Sequence, residues 1–333
     1  MIDNKKRIIF CIQLADWWLR TAYLECRTPV IVHSSPGLVF PMQKISTRED
    51  QLCHAALIIH GSLCFKESID KGTIPQDYMG SKPLDMSQYY KLFGTTRRPG
   101  EQRDELVFYP DSKHIAVIYK NHFYQVFVYN DDGSVLSPEE IMKQLLSVRE
   151  QTQGLVGIPV GILTSEDRTV WSKAYARLKK DSINREAIDV IEKALFTISI
   201  DRHNRPVSLP KLSEKIPVGT ENLECSERQT AAAKQMIHGG KTNSGNRWFD
   251  KTIQFVVGAE GEVGITYEHS AAEGPPIAAL MDYVVQYLEN NNPTHLMKVK
   301  PGGMARIPKP ITFDVTHKKI TKAIAEAKAH LEA

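Results

Sequence analysis

The sequence predicts an α/β or α+β protein, because helical and β-type patterns alternate along its 333 residues. One strand pair is predicted at 113–119 and 122–129, which are rich in β-branched and aromatic residues and flank the short connection 120–121. A second pair is predicted at 252–258 and 262–269. Amphipathic helical patterns lie before, between and after these pairs. This alternation is the basis for the predicted fold class.

The first half of the chain contains three predicted helices. Two of them, over 7–26 and 47–71, carry apolar side chains at helical spacing. A third is predicted to begin at Ser137, with Pro138 in its first turn. Glu140 follows Ser137 by three residues and would complete a capping box with it. These signals place a helix directly after the first strand pair.

The region between the two strand pairs mixes apolar and polar segments. The run VGILT at 160–164 predicts a buried strand. A helix is predicted over 165–180, with Ser165 as its cap, and another over 182–196. Residues 201–224 are rich in proline, polar and charged residues, which is typical of a loop.

The last third of the chain is predicted to be mainly helical around the second strand pair. Residues 227–237 form a helix that the glycines at 239–240 terminate. A further helix, 275–288, has prolines in its first turn. Residues 290–311 resemble a linker, and residues 317–332 form a final amphipathic helix.

The charge balance gives no support for nucleic-acid binding. Lys plus Arg exceed Asp plus Glu by 42 − 39 = 3, and the basic residues are spread along the chain. Neutralising phosphates requires a clustered basic patch. Hydrophobic residues make up 42% of the chain, which is enough for a sizeable core. We therefore expect a globular protein with no nucleic-acid partner.

The cysteines and the lengths of the apolar runs give no support for a disulfide-rich, zinc-stabilised or membrane-spanning protein. The five cysteines are odd in number and include no C-x-x-C motif, so neither a disulfide framework nor a structural zinc site is expected. No run of 18 apolar residues predicts a transmembrane helix. The N-terminus begins like a signal peptide, but Gln13 interrupts its apolar stretch and no small-residue cleavage site precedes Asp16. We expect an amphipathic first helix there instead.

The segment 264–274 holds the strongest candidate for catalysis. A predicted strand ends at His269, and Glu273 and Gly274 follow it before a helix opened by prolines. Imidazole titrates near neutral pH, which suits proton transfer, and the nearby carboxylate can orient the ring. The same residues also fit a structural histidine, or a metal pair at i and i+4 for which no third ligand is evident. Residue types alone leave these alternatives open.

Five segments together resemble one family. The run YEHSAAEGPPI at 267–277 is similar to the catalytic-histidine signature of the choline/carnitine acyltransferases. Segments 17–37, 82–100, 159–175 and 235–255 resemble the same family in the same order. Within that family, Ala-Ala-Glu-Gly-Pro-Pro after the histidine is most similar to the carnitine acetyltransferases.

The resemblance implies an activity and a role for each site residue. The family transfers an acyl group reversibly between coenzyme A and a hydroxyl acceptor, here carnitine and a short-chain acyl-CoA. His269 would be the general base and Glu273 its acidic partner. Tyr267, Trp18 and Tyr23 match aromatic positions near the carnitine pocket, and aromatic faces favour a trimethylammonium group. Coenzyme A would be a co-substrate, and no tightly bound cofactor is implied.

The aromatic residues also have an ordinary structural interpretation. Trp17 and Trp18 on an amphipathic helix would usually pack in a core, and the same alternative applies to Tyr23. Tyr267 is expected on the same side as His269, because side chains alternate along a strand.

The segment NRWFDK at 246–251 is interpreted as mainly structural. Trp248 and Phe249 are predicted to pack, and Asp250 is available to pair with a cation.

The resemblance also implies an architecture. The family's first domain resembles chloramphenicol acetyltransferase, with a mixed β-sheet flanked by helices. Residues 1–290 would form this catalytic-histidine domain, shortened at its N-terminus. Residues 291–333 would form a linker and a helix leading toward a second domain, whose motifs for coenzyme A and the carnitine carboxylate are not found in this sequence.

The missing motifs leave two alternatives for the chain. It would act either with a complementary second domain or as a non-catalytic truncated isoform or fragment that at most binds a partner. By resemblance the location would be mitochondrial or peroxisomal, although the sequence has no convincing targeting signal.

Overall fold

The structure is a computed structural model that describes residues 14–203, 221–303 and 306–332. The first part of the predicted helix 7–26 and most of the predicted loop 201–224 lie outside these residues, as does the N-terminal segment compared with a signal peptide. Within the described ranges, no helix is both long and apolar enough to cross a membrane.

The described chain alternates helices and strands, as predicted. The strands are β1 Gly37–Val39, β2 Tyr78–Met79, β3 Lys82–Pro83, β4 Thr95–Arg98, β5 Glu105–Phe108, β6 His114–Tyr119, β7 His122–Phe127, β8 Thr197–Ile200, β9 Ile253–Val257, β10 Val263–Tyr267 and β11 Lys309–Ile311. The α-helices are α1 Arg48–Asp70, α2 Pro138–Gln151, α3 Arg168–Leu178, α4 Ser182–Lys193, α5 Glu221–His238, α6 Gly240–Asn243, α7 Gly274–Asn290 and α8 Lys318–Glu332. A π-helix spans Leu19–Leu24, and 3-10 helices span Tyr89–Lys91, Val160–Ser165 and Pro293–Lys298.

One seven-stranded mixed sheet organises these elements, in the order β1-β10-β9-β8-β6-β7-β11. Strand β8 is parallel to both β6 and β9, and the outer pairs are antiparallel. Helices flank both faces. The predicted class, a mixed sheet flanked by helices, is therefore confirmed.

Each face of the sheet has its own apolar core, as the alternation of side chains along a strand requires. On β6, Val117 belongs to a core formed with α1, α2 and α7. The next residue, Ile118, belongs to a second core that includes Trp171 on α3, Ile188 on α4 and Ile320 on α8. Helices on both faces therefore hold the central strands rigidly.

The hairpin of β6 and β7 turns where the sequence predicts. Lys120 and Asn121 have φ angles of 51° and 63°, the left-handed values that a two-residue hairpin turn requires. They join Tyr119 to His122, which are paired across the two strands. Asn121 is well suited to this conformation because its short polar side chain tolerates positive φ.

Helix ends follow the predicted signals in most places. Ser137 accepts a hydrogen bond from the Glu140 amide and Pro138 opens α2, although only this half of the predicted capping box is formed. Helix α5 ends at His238, and Gly239 has a φ angle of 75°, which confirms the predicted glycine stop.

The predicted strand at 160–164 is wrong. Val160–Ser165 is a buried 3-10 helix, in which the hydroxyls of Thr164 and Ser165 each donate to a carbonyl three residues earlier. Ser165 is therefore used inside this turn, and Asp167 caps α3 instead. A short apolar run is buried in either conformation, so its pattern does not distinguish them.

Two other stretches carry more structure than the sequence indicates. Helix α4 ends at Lys193 because the chain then turns into β8, which was not predicted. Residues 290–311, predicted as a linker, contain the 3-10 helix Pro293–Lys298 and the edge strand β11.

Candidate active site

His269 lies just beyond the end of an internal strand. Strand β10 is paired on both sides and ends at Tyr267. The Glu268 amide donates to the Thr252 carbonyl at 3.0 Å, and the chain then turns toward α7. The imidazole is therefore carried by a fixed backbone at the C-terminal end of β10, and rigid elements of this kind hold functional side chains most precisely.

Two tyrosine rings enclose the imidazole of His269. The Tyr23 ring centroid is 5.4 Å away with an interplanar angle of 30°. The Tyr267 ring centroid is 5.2 Å away at 28°. The His269 side chain keeps 20% of its surface exposed, so the ring is held by stacking yet remains open to a small molecule.

The Nδ1 atom of His269 is bound from one side. It lies 2.6 Å from the Tyr23 hydroxyl and 3.5 Å from Oε2 of Glu273. The Tyr23 hydroxyl also contacts Oε1 of Glu273 at 3.3 Å. Among the described residues no hydrogen bond reaches Nε2 of the same ring. The histidine therefore offers Nε2 as its free atom.

The hydrogen bonds among Tyr23, Glu273 and His269 (the trio) favour one tautomer of the His269 ring. Burial, and then the charge of Glu273, raise the pKa of Tyr23 to about 12, so its hydroxyl carries one proton at neutral pH. The Glu273 carboxylate only accepts hydrogen bonds, so the Tyr23 proton points to it. The hydroxyl then accepts from Nδ1–H of His269, which leaves a lone pair on Nε2.

Glu273 is free to join the trio because it does not cap its own helix. It occupies the N-cap position of α7, but its side chain makes no capping hydrogen bond, and prolines fill the first turn. Its backbone amide is held by Oε1 of Gln88 at 2.9 Å. A carboxylate is also stabilised at a helix N-terminus by the helix dipole.

Tyr23 reaches His269 from a π-helix. Residues 14–18 are α-helical and Leu19–Leu24 continue as a π-helix, a distortion often found at functional sites. Trp18 stands at its start and is 52% exposed. The structure thus brings four of the five predicted site residues together, namely His269, Glu273, Tyr23 and Tyr267. The fifth, Trp18, is exposed at the start of the π-helix.

Comparison with known proteins identifies the family. The profile of the Choline/Carnitine o-acyltransferase family matches residues 13–333. The chain belongs to this family. It is 42% identical to a carnitine O-acetyltransferase of Columba livia and 40% identical to that of Homo sapiens, each over 324 residues that cover 96% of this chain and 48% of the relative. A choline O-acetyltransferase of Drosophila melanogaster is 34% identical over 292 residues, covering 83% of this chain and 40% of that protein.

The resemblance inferred from sequence motifs is therefore confirmed at the family level. The chain spans about half the length of the curated relatives that it matches, 48% for the carnitine O-acetyltransferases.

A buried charge network behind His269 was missed from the sequence of this acyltransferase chain. Arg97 on β4 donates to Asp104 at 2.7 Å and to Glu268 at 3.1 Å. Oε2 of Glu268 accepts from the amide and the hydroxyl of Ser270. These side chains flank the catalytic candidate on both sides along the chain. The only sequence signal is a charged residue next to His269 in an otherwise apolar strand end.

Arg168 extends this network into the second core. It donates to Asp104 at 2.7 Å and to Asp250 at 2.5 Å, and its side chain is fully buried. The Trp171 indole donates to the other oxygen of Asp250 at 2.6 Å. The prediction that Asp250 pairs with a cation is confirmed, and Arg247 of the same segment pairs with buried Asp201.

The alternative of a metal pair at His269 and Glu273 gains no support from the described residues. No group of three or more His, Cys, Asp or Glu side chains there is arranged to hold a metal ion. Nδ1 is occupied by Tyr23, and Glu273 lies beside the same ring atom. The arrangement suits proton transfer better than metal coordination.

Proposed function

We propose that this chain supplies the general-base half of a carnitine O-acetyltransferase site, which transfers a short acyl group between acyl-CoA and carnitine. Nε2 of His269 removes the proton from the carnitine hydroxyl as its oxygen attacks the thioester carbonyl. The carbon–sulfur bond breaks, and the proton passes from Nε2 to the departing thiolate of coenzyme A. In the reverse direction the same atom deprotonates the thiol. The observation that carries this proposal is the contact of Tyr23 and Glu273 with Nδ1, which leaves Nε2 free.

Glu273 acts in this scheme both directly on the His269 ring and through the Tyr23 hydroxyl. When Nε2 takes a proton the ring becomes positive, and the carboxylate 3.5 Å from Nδ1 stabilises that charge. The Tyr23 hydroxyl keeps the ring oriented during both proton transfers. General-base catalysis of this kind contributes about 10²–10⁴-fold to a rate.

Aromatic faces support carnitine as the acceptor. Tyr23 and Tyr267 stack on the imidazole, and Trp18 is exposed at the start of the helical segment that carries Tyr23. A trimethylammonium group is attracted to such aromatic faces. Carnitine is also the substrate for which the 40–42% identical relatives are named. Choline, which carries the same cationic group and a hydroxyl, is the alternative acceptor suggested by the 34% identical relative.

The architecture is part of the proposal. The mixed sheet with helices on both faces supports a chloramphenicol acetyltransferase-like first domain over residues 1–290, with 291–333 leading toward a second domain. Because the relatives are about twice as long (48% of their length is matched), we propose that coenzyme A and the carnitine carboxylate are bound with groups from such a domain. Coenzyme A is a co-substrate, and the mitochondrial or peroxisomal location remains a prediction.

The test is acetyl transfer from acetyl-CoA to L-carnitine, followed as thiol release, with choline as a parallel acceptor. The purified chain is measured alone and with a separately produced C-terminal half of a carnitine O-acetyltransferase. His269→Ala is the site variant, and His295→Ala, at an exposed histidine paired with Glu139, is the matched control. We expect turnover with carnitine that His269→Ala abolishes and His295→Ala retains. A folded chain without turnover in either setting would refute the catalytic proposal and favour a binding or interaction role.

A further inference from the structure

A single buried guanidinium contacts both segments that meet at His269. Arg97 lies on β4 with a side chain that is 2% exposed. Its Nη2 donates to the carbonyl of Tyr23 at 2.6 Å, and its Nη1 donates to Oε1 of Glu268 at 3.1 Å. The first contact holds the end of the π-helix, and the second holds the residue preceding the catalytic candidate.

Glu268 connects Arg97 to the turn that contains His269. Its other oxygen, Oε2, accepts from the Ser270 amide at 3.2 Å and from the Ser270 hydroxyl. The carboxylate of the residue before His269 thus binds the residue after it, and this carboxylate is itself fully buried and anchored to Arg97. The direction of the His269 side chain depends on this turn.

The far side of Arg97 is fixed as well. Its Nε donates to Oδ2 of Asp104 at 2.7 Å, and the Asp104 amide donates to the Leu24 carbonyl at 2.9 Å. Burial raises the pKa of Asp104, but Arg168 and Arg97 outweigh it and hold that pKa below its usual range. Asp104 therefore stays ionised and holds the buried Arg97 side chain through its Nε atom.

We propose that Arg97 is a positioning residue that sets the Tyr23–His269 distance, and through it the orientation of the base. This inference rests on the proposed function of His269. The planar guanidinium has donors at fixed angles, and here they reach Tyr23, Glu268 and Asp104 together. A lysine carries the same charge on one flexible atom and does not reproduce that geometry. One rigid guanidinium group thus links the end of the π-helix to the turn after β10. Tyr23 and His269, which these segments carry, are 246 residues apart.

The test compares Arg97→Lys and Glu268→Gln with Arg98→Lys. Arg98 is the next residue on β4 and pairs with Glu192, with 30% of its side chain exposed, so it controls for a charge-conserving change on the same strand. Glu268→Gln keeps the shape of the side chain but removes its charge. It provides a second test of the Arg97–Glu268 contact if the Arg97 variant fails to fold. Two quantities are measured: the steady-state constants for carnitine, and the rate at which diethyl pyrocarbonate modifies His269, read by peptide mass spectrometry.

We expect Arg97→Lys and Glu268→Gln each to lower kcat by about 10- to 100-fold, because a misplacement of about 1 Å costs rate rather than binding. The KM for carnitine should stay within about twofold. Modification of His269 should become several-fold faster as Tyr23 withdraws, while buried His54 and His114 (6% and 8% exposed) stay slow. Arg98→Lys should change none of these quantities.

Two results would overturn the proposal. One is an unchanged modification rate at His269 in both site variants. The other is a rise at His54 and His114 of the same size, which would show that Arg97 only stabilises the fold. If the wild-type chain has no transferase activity, the proposed function fails, but the modification rates still decide the role of Arg97.

Discussion

The hydroxyl of Tyr23 lies 2.6 Å from Nδ1 of His269, although 246 residues separate them in the chain. The π-helix delivers the phenol, and the end of β10 delivers the imidazole. Glu273 completes the contact from the N-terminus of α7. The geometry leaves Nε2 as the ring nitrogen without a hydrogen bond from the described residues, and the proposed role of this atom has several measurable consequences.

Tyr23→Phe removes the hydroxyl while keeping the ring that stacks on His269. Without the hydroxyl, Nδ1 loses its 2.6 Å partner, and the ring can reorient or change tautomer. We expect kcat for acetyl transfer to fall about 10- to 100-fold, within the range that general-base catalysis contributes. Tyr283→Phe, on the exposed side of α7, is the control, and equal rates for the two variants would contradict the role of Tyr23.

Trp18→Ala tests the acceptor pocket. Trp18 is 52% exposed at the start of the π-helix that carries Tyr23, and a partly solvated cation–π contact contributes about 0.5–2 kcal/mol. We expect the KM for carnitine to rise by about 3- to 30-fold, with a smaller effect on kcat. Trp17→Ala is the matched control, since Trp17 is its neighbour and 59% exposed. If both variants raise the KM equally, Trp18 does not line the pocket.

Arg168→Met tests the buried network that supports the site. Arg168 lies between Asp104 and Asp250, and all three side chains are at most 3% exposed. Removing it leaves Asp250 buried without its cation and takes one of the cations that contact Asp104, and we expect the free energy of unfolding to fall by about 3–5 kcal/mol. Urea denaturation measures this loss. Lys322→Met breaks an exposed pair on α8 and should cost less than about 1 kcal/mol; a similar small loss for Arg168→Met would contradict the account.

The lowered pKa of buried Lys251 predicts that the free energy of unfolding depends on pH. Burial lowers its pKa from 10.5 to about 7, although its ammonium group contacts the Glu192 carbonyl at 2.7 Å. Above pH 7 the unfolded chain binds more protons at Lys251 than the folded chain does, so this group makes stability rise with pH up to its unfolded pKa. The free energy of unfolding of the wild type, minus that of Lys251→Met, should rise by about 1.4 kcal/mol per pH unit between about pH 7.5 and 9. Parallel curves for the two proteins would show that Lys251 is not buried as a neutral amine.

Local patterns predicted much of the fold. The β6–β7 hairpin was predicted because residues 120–121 separate two β-type runs, and the end of α5 because glycine follows it. The run 160–164 was misassigned because burial gives it the same apolar pattern in a strand and in a 3-10 helix. Strand β8 was not predicted because the predicted helix 182–196 runs up to the residue before it, and only four residues form the strand.

Some features of the candidate site could also be predicted from the sequence, and others could not. The proximity of His269 and Glu273 could be predicted because they are four residues apart at a strand-to-helix junction. The roles of Arg97 and Glu268 could not, because 171 residues separate them and a charged residue in a sequence is usually exposed. Only the three-dimensional fold shows that their charges are buried and paired behind the imidazole.

The position of the proton on the neutral His269 ring tests the central claim most directly. It is measured from the ring nitrogen chemical shifts of the wild-type chain by ¹⁵N NMR, with His269→Gln to assign the signal. The Glu273–Tyr23–His269 arrangement predicts a protonated Nδ1 and a bare Nε2 that is able to accept a proton from substrate. A ring protonated at Nε2 would mean that Tyr23 donates to Nδ1 instead, and would contradict the proposed general base.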